Sequence, residues 1–160
     1  MTAAQILTLR SEIAADLGFF RRRLDEACAH PAGSGTDVEL AYTALAMQRA
    51  YTSLEALVER CVLAFDGAVP GGRDGHQALL RRAALPIAGV RPALISPAAL
   101  ATANEFLRFR HFLHHDYGAE LDGPLLAKLQ ETIAGQRATL EGDLARLDPW
   151  LVTIAEGLGE

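Results

Sequence analysis

Residues 40–65, LAYTALAMQRAYTSLEALVERCVLAF, decide the fold. Leu40, Ala44, Met47, Tyr51, Leu54, Val58, Cys61 and Phe65 follow one another in alternating steps of four and three. That spacing returns the apolar side chains to one helix face and holds a seam of coiled-coil type for about four heptads. Such a seam needs facing helices, and the flanking sequence supplies them. Upstream, Ile6, Leu9, Ile13, Leu17, Phe20, Leu24 and Ala27 mark an amphipathic helix over about residues 3–29. HPAGSGTD (30–37) breaks it and offers Thr36 or Asp37 as the next N-cap.

Downstream, DGAVPGGRDG (66–75) ends the seam, and a short helix follows at HQALLRRAAL (76–85). PIAGVRPALIS (86–96), with two prolines and a glycine, reads as an irregular connection. SPAALATANEFLRFRHFLHH (96–115) resumes as a helix, Ser96 at the N-cap and Pro97 at the first helical position. A last helix starts near Asp122 or Pro124 and runs to about Ile154 on the stripe Leu126, Leu129, Ile133, Leu140, Leu144, Leu147 and Leu151. Pro149 predicts a late kink or stop in it. Four long helices and a short one imply an all-α, up-and-down bundle in one domain over residues 1–160.

Composition agrees. Half of the 160 residues are apolar and no β-branched run of strand length appears, which favours helix. A chain of this length buries roughly two thirds of its unfolded surface, enough for a core without staples. No apolar run approaches the roughly 20 residues a membrane span needs, and the N-terminus mixes charges into an amphipathic pattern, so a soluble cytoplasmic protein without a membrane partner is expected. Cys28 and Cys61 lack zinc-type spacing and read as buried, reduced, small hydrophobes. The balance of 15 basic against 20 acidic residues argues against a general nucleic-acid coat protein. Any RNA contact must be local, through arginines suited to bidentate phosphate contact. The clusters Arg21–Arg23 and Arg81–Arg82 read more simply as solvated surface.

The chemistry concentrates at RFRHFLHHDYG (108–118), which holds three of the five histidines beside Arg108, Arg110, Asp116 and Tyr117. Helical spacing puts Arg110, His114 and Tyr117 on one stripe and His111 and His115 on another. A histidine moves protons near neutral pH and an arginine holds a phosphate, which suffices for metal-free RNA cleavage by the neighbouring 2'-hydroxyl. Arg110 and His115 lie about 140° apart around an ideal helix, so they meet on one ligand only if the helix frays at His115 or a second copy completes the site. Other readings stand beside this one. Arg110 can pair with Glu105 or Asp116 in a structural role. His111 and His115 can chelate zinc at i, i+4 with His114 or Asp116, but no H-E-x-x-H pattern or second ligand cluster accompanies them. His30 and His76 read as surface or capping residues.

Arg110, polar His111, three further residues, His115, one residue and Tyr117 resemble the R-polar-x3-H-x-Y motif of the HEPN superfamily, especially HepT-like toxins paired with a minimal nucleotidyltransferase antitoxin. The flanks FRHFLHHDYGAELD and LLRRAALPIAGVRPALIS are similar to one HepT-like subgroup, and the likeness spans roughly residues 36–150. The resemblance implies a metal-independent endoribonuclease without a cofactor, acting as a homodimer on an RNA substrate, with a nucleotidyltransferase antitoxin as partner. By position, His115 is the general acid or base, Arg110 binds the scissile phosphate and His111 orients them. Tyr117 matches a tyrosine that the partner can modify with AMP, and His114, Asp116 and Arg108 are auxiliary candidates. Many relatives carry Asn where this chain has His111. The alternative is a catalytically inactive HEPN-type module that binds a nucleotide or a partner.

Overall fold

The two longest helices each open on a threonine. The computed structural model describes residues 1–32, 35–115 and 121–159, and of His115 only the backbone. In it Thr2 caps α1 (Ala3–Cys28) and Thr36 caps α2 (Asp37–Asp66). Each hydroxyl accepts the N–H of the residue three ahead, Gln5 or Glu39, whose side chain reaches back to the cap's own N–H. A cap of this kind stabilises its helix by about 1 kcal/mol. Gly67 ends α2 at φ 78°, a left-handed conformation that glycine adopts without strain, and its N–H reaches the Leu63 carbonyl. A short α3 (Gly75–Ala83) follows, then α4 (Pro97–His115), α5 (Gly123–Ala145) and α6 (Leu147–Gly157). Ser96 caps α4 as expected, its Oγ accepting the Ala99 N–H at 3.2 Å. Its own N–H donates to the buried Asp143 carboxylate at 2.6 Å, so α5 places a negative charge at the positive end of α4.

The last helix departs from the single run to Ile154. It breaks at Arg146, one turn before Pro149. Proline lacks an N–H and its ring opposes the carbonyl four residues back, which is Ala145, the last residue of α5. Pro149 itself falls in the first turn of α6, where a missing donor costs nothing.

Cross-links show that neighbours run antiparallel. Arg60 of α2 meets Glu12 and Asp16 of α1, Arg137 of α5 meets Asp25 of α1, and Arg10 of α1 grips Asp148 of α6. The Gln130 amide donates to the Ala27 and His30 carbonyls and accepts the Ala32 N–H, closing the end of α1 against α5. Every stripe residue named from the sequence in α1, and every one in the α5 and α6 run, is buried. The α2 seam is buried from Leu40 to Cys61, while Phe65 is half-buried against Trp150 with ring centroids 4.8 Å apart. Cys61 is buried, and burial pushes its thiol up to about 12. Cys28 corrects the expectation of two buried cysteines: it is exposed, at the last turn of α1.

The connection after α3 is pinned from inside. Arg91 and Asp66 both have side chains with 0% exposure, and two guanidinium nitrogens meet the two carboxylate oxygens at 2.6 and 2.9 Å. The remaining Arg91 donors reach the carbonyls of Arg82, Leu85 and Pro92. The arginine clusters serve structure too, since Arg21, Arg23 and Arg82 pair with Glu141, Glu26 and Asp66. Among the described residues no helix is long and apolar enough to cross a membrane.

Candidate functional site

Gln48, Tyr51 and Glu55 repeat at steps of three and four, so α2 presents them on one face. Antiparallel α4 meets that face with Arg110 and His114. The Gln48 amide donates to His114 Nε2 at 3.2 Å. One helical turn earlier on α4, the Arg110 guanidinium lies 5.7 Å from the Tyr51 ring centroid and its Nη1 is 3.9 Å from Glu55 Oε2. The stripe read from the sequence is therefore real for its two described members, and it faces α2.

His76, in the first turn of α3, joins this contact. Its Nδ1 bonds to Glu55 Oε1, and its Nε2 lies 2.8 Å from Arg110 Nη1. A guanidinium nitrogen only donates, so Nε2 must accept and the ring proton must sit on Nδ1, donating to the carboxylate. Glu55 Oε1 also accepts the Tyr51 hydroxyl at 3.1 Å. Burial, followed by the Glu55 charge, pushes the Tyr51 phenol well up, so it remains a neutral donor. Every proton in the chain from Tyr51 through Glu55 and His76 to Arg110 has one consistent place. Arg110 keeps 23% of its side chain exposed, with donors left over for an anion.

His76 lies at the surface as expected, its side chain 40% exposed, but in place of a cap it has two partners, Glu55 and Arg110. Glu55 was not singled out at all. Neither carries a local signal: Glu55 is one acid on a helix rich in them, and His76 follows a glycine-rich turn. Their meeting depends on α2, α3 and α4 packing together. The pairing of Arg110 with Glu105 is corrected, because Glu105 instead holds Arg108 at 3.1 Å.

Beyond His76 lies a polar cleft of about 320 Å³ between the start of α3 and α4, lined among others by Arg73, Asn104, Arg108 and His111. His111 is exposed on its wall, one residue from Arg110 and so about 100° around the helix. His115 is the last residue of α4, and its side chain lies outside the described residues, as do Asp116 and Tyr117. An apolar groove of about 490 Å³ runs between α4 and α5, lined among others by Phe109, Phe112, Leu125, Lys128 and Leu129. Among the described residues no group of three or more His, Cys, Asp or Glu is arranged to hold a metal ion.

A family model described as HepT-like protein matches residues 42–151, a span from the second turn of α2 into α6 that contains Glu55, His76 and Arg110. No curated protein and no solved structure matches the chain.

Proposed function

From the premise that this chain belongs to the HepT-like protein family, we propose that it is a metal-independent endoribonuclease, the toxin of a toxin and antitoxin pair. The observation that carries the reading is Arg110, a partly exposed guanidinium near the end of α4 held in a fixed orientation by His76, itself on the wall of a polar cleft between α3 and α4. Arg110 binds the scissile phosphate and stabilises the charge that builds on its oxygens. A general base removes the proton from the 2'-hydroxyl, whose oxygen attacks phosphorus, and the bond to the 5'-oxygen breaks to leave a 2',3'-cyclic phosphate. A general acid protonates the departing oxygen. His115 is assigned to this proton transfer and His111 to orienting His115 and Arg110, with His114, Asp116 and Arg108 in auxiliary places.

The site is completed by a second copy of the chain, because Arg110 and His115 diverge by about 140° on a single helix. The apolar groove between α4 and α5 is the surface offered to that copy. A minimal nucleotidyltransferase antitoxin silences the site by transferring AMP from ATP to the Tyr117 hydroxyl oxygen, with pyrophosphate leaving.

The test is incubation of the purified chain with single-stranded RNA in EDTA, beside Arg110→Ala and His115→Ala, reading fragment ends for cyclic phosphate. Cleavage by the wild type alone is the expected result. A second reading, an inactive regulatory module, draws on the approach of Glu55 to Arg110, which offsets part of the cation's charge. Absence of cleavage by all three proteins would favour it.

A further inference from the structure

We infer that His76 is a positioning residue of the Arg110 site: it fixes the guanidinium for its anionic ligand, with Glu55 holding the imidazole in the one tautomer that can do so. The inference rests on the ribonuclease reading for the identity of the anion, an RNA phosphate, and on the hydrogen bonds alone for the positioning.

An arginine side chain at a surface samples many rotamers, and ordering it on binding is costly. Here that freedom is already removed. The Arg110 guanidinium lies against the Tyr51 ring, and its Nη1 is held by His76 Nε2 at 2.8 Å. His76 in turn is held by Glu55, and Glu55 by Tyr51. Both ring nitrogens are therefore occupied, one donating to Glu55 and one accepting from Arg110. A ring so engaged has no lone pair left to take a substrate proton, which separates its role from that of His115. Glu55 could in principle collapse onto Arg110 as a tight ion pair and quench it. The imidazole bridges Glu55 Oε1 and Arg110 Nη1, and the guanidinium stays 3.9 Å from Glu55 Oε2. His76 thus acts as a spacer as well as a hook: it orients the cation while limiting its neutralisation.

Two measurements test this, and only one of them needs a reaction. The first is nitrogen-15 NMR of the histidine rings in the intact protein. The expected spectrum shows His76 as the fixed Nδ1–H tautomer, a signature weakened in Glu55→Leu, which removes the acceptor; a His76 ring averaging between both tautomers in the wild type would overturn the proposal, whatever the enzyme does. The second is RNA cleavage by His76→Ala and His76→Gln, both checked for native helicity. Misplacing a group that acts on the reacting phosphate costs on the order of 100-fold. His76→Ala should lose about that factor in kcat with KM little changed, and His76→Gln, whose amide can still donate to Glu55 and accept from Arg110, should recover most of it. Wild-type kcat in His76→Ala would refute the positioning role. Should the wild type itself not cleave RNA, the ribonuclease reading fails separately, and binding of an uncleavable single-stranded DNA oligonucleotide replaces kcat: affinity falls in both His76→Ala and Arg110→Ala if His76 positions the cation, and only in Arg110→Ala if it does not.

Discussion

The Tyr51 hydroxyl donates to Glu55 at 3.1 Å from within the core, where the ring is fully buried. Removing it leaves a half-buried carboxylate one donor short. Hydrogen bonds to charged groups are worth about 1.5–3 kcal/mol, so Tyr51→Phe should lower stability in urea unfolding by an amount in or just below that range. It should also loosen Arg110, because the carboxylate that anchors His76 loses a restraint. The two cysteines differ as sharply. Burial raises both thiols, Cys61 to about 12, yet Cys28 is exposed. A thiol-specific reagent at mildly alkaline pH should label Cys28 in the native protein and reach Cys61 only after unfolding, as mass spectrometry would report. Equal labelling of both would contradict the packing of α2.

At the scale of elements, the connection between α3 and α4 hangs on one ion pair. Hydrogen bonds from Arg91, set against the cost of burial and aided by Arg82, hold the Asp66 carboxyl below its usual range. A carboxylate whose folded pKa is depressed contributes stability that is fully present above its unfolded pKa and is lost as pH falls through the folded one. Stability should therefore decline from about pH 5 downward, and Asp66→Asn should flatten that part of the curve. Losing Arg91 leaves Asp66 to Arg82 alone and takes a donor from the carbonyls of Arg82, Leu85 and Pro92, so Arg91→Ala should cost about 1–3 kcal/mol. A loss below 1 kcal/mol would mean that the pair is solvated. Gly67→Ala tests the end of α2 in a milder way. Its φ of 78° costs an L residue about 1–2 kcal/mol, although space for the Cβ is open.

For the whole molecule, the question is how many chains make a site. Arg110 and His115 are five residues apart on α4, so they reach one phosphate only if the helix frays at His115 or a second copy completes the site, and the proposed function takes the second. Mixing Arg110→Ala with His115→Ala protein should then restore part of the cleavage that neither has alone, because a mixed pair can assemble one intact site. Sedimentation should show a dimer under the same conditions, and substituting Phe112 or Leu125 in the groove by a charged residue should shift it toward monomer. No restoration from a mixture shown to form mixed dimers would place each site within one chain.

Periodicity carried most of the fold. The steps of three and four in α1, α2, α5 and α6 pick out buried residues because a helix face is a local property, set by a repeat of 3.6 residues whatever lies opposite. The threonine and serine caps are local in the same sense, and so is the effect of Pro149, although its break fell one turn earlier because the clash acts on the carbonyl four residues back. Arg110 was singled out through a local motif that begins on α4. What holds Arg110 was not. Glu55, His76 and Arg110 come from three helices, and the pairings of Asp66 with Arg91 and of Asp143 with Ser96 likewise join separate segments. Sequence determined which face of each helix turned inward; only packing decided which polar side chains then met, because a hydrogen bond depends on tenths of an ångström between chains that periodicity does not relate.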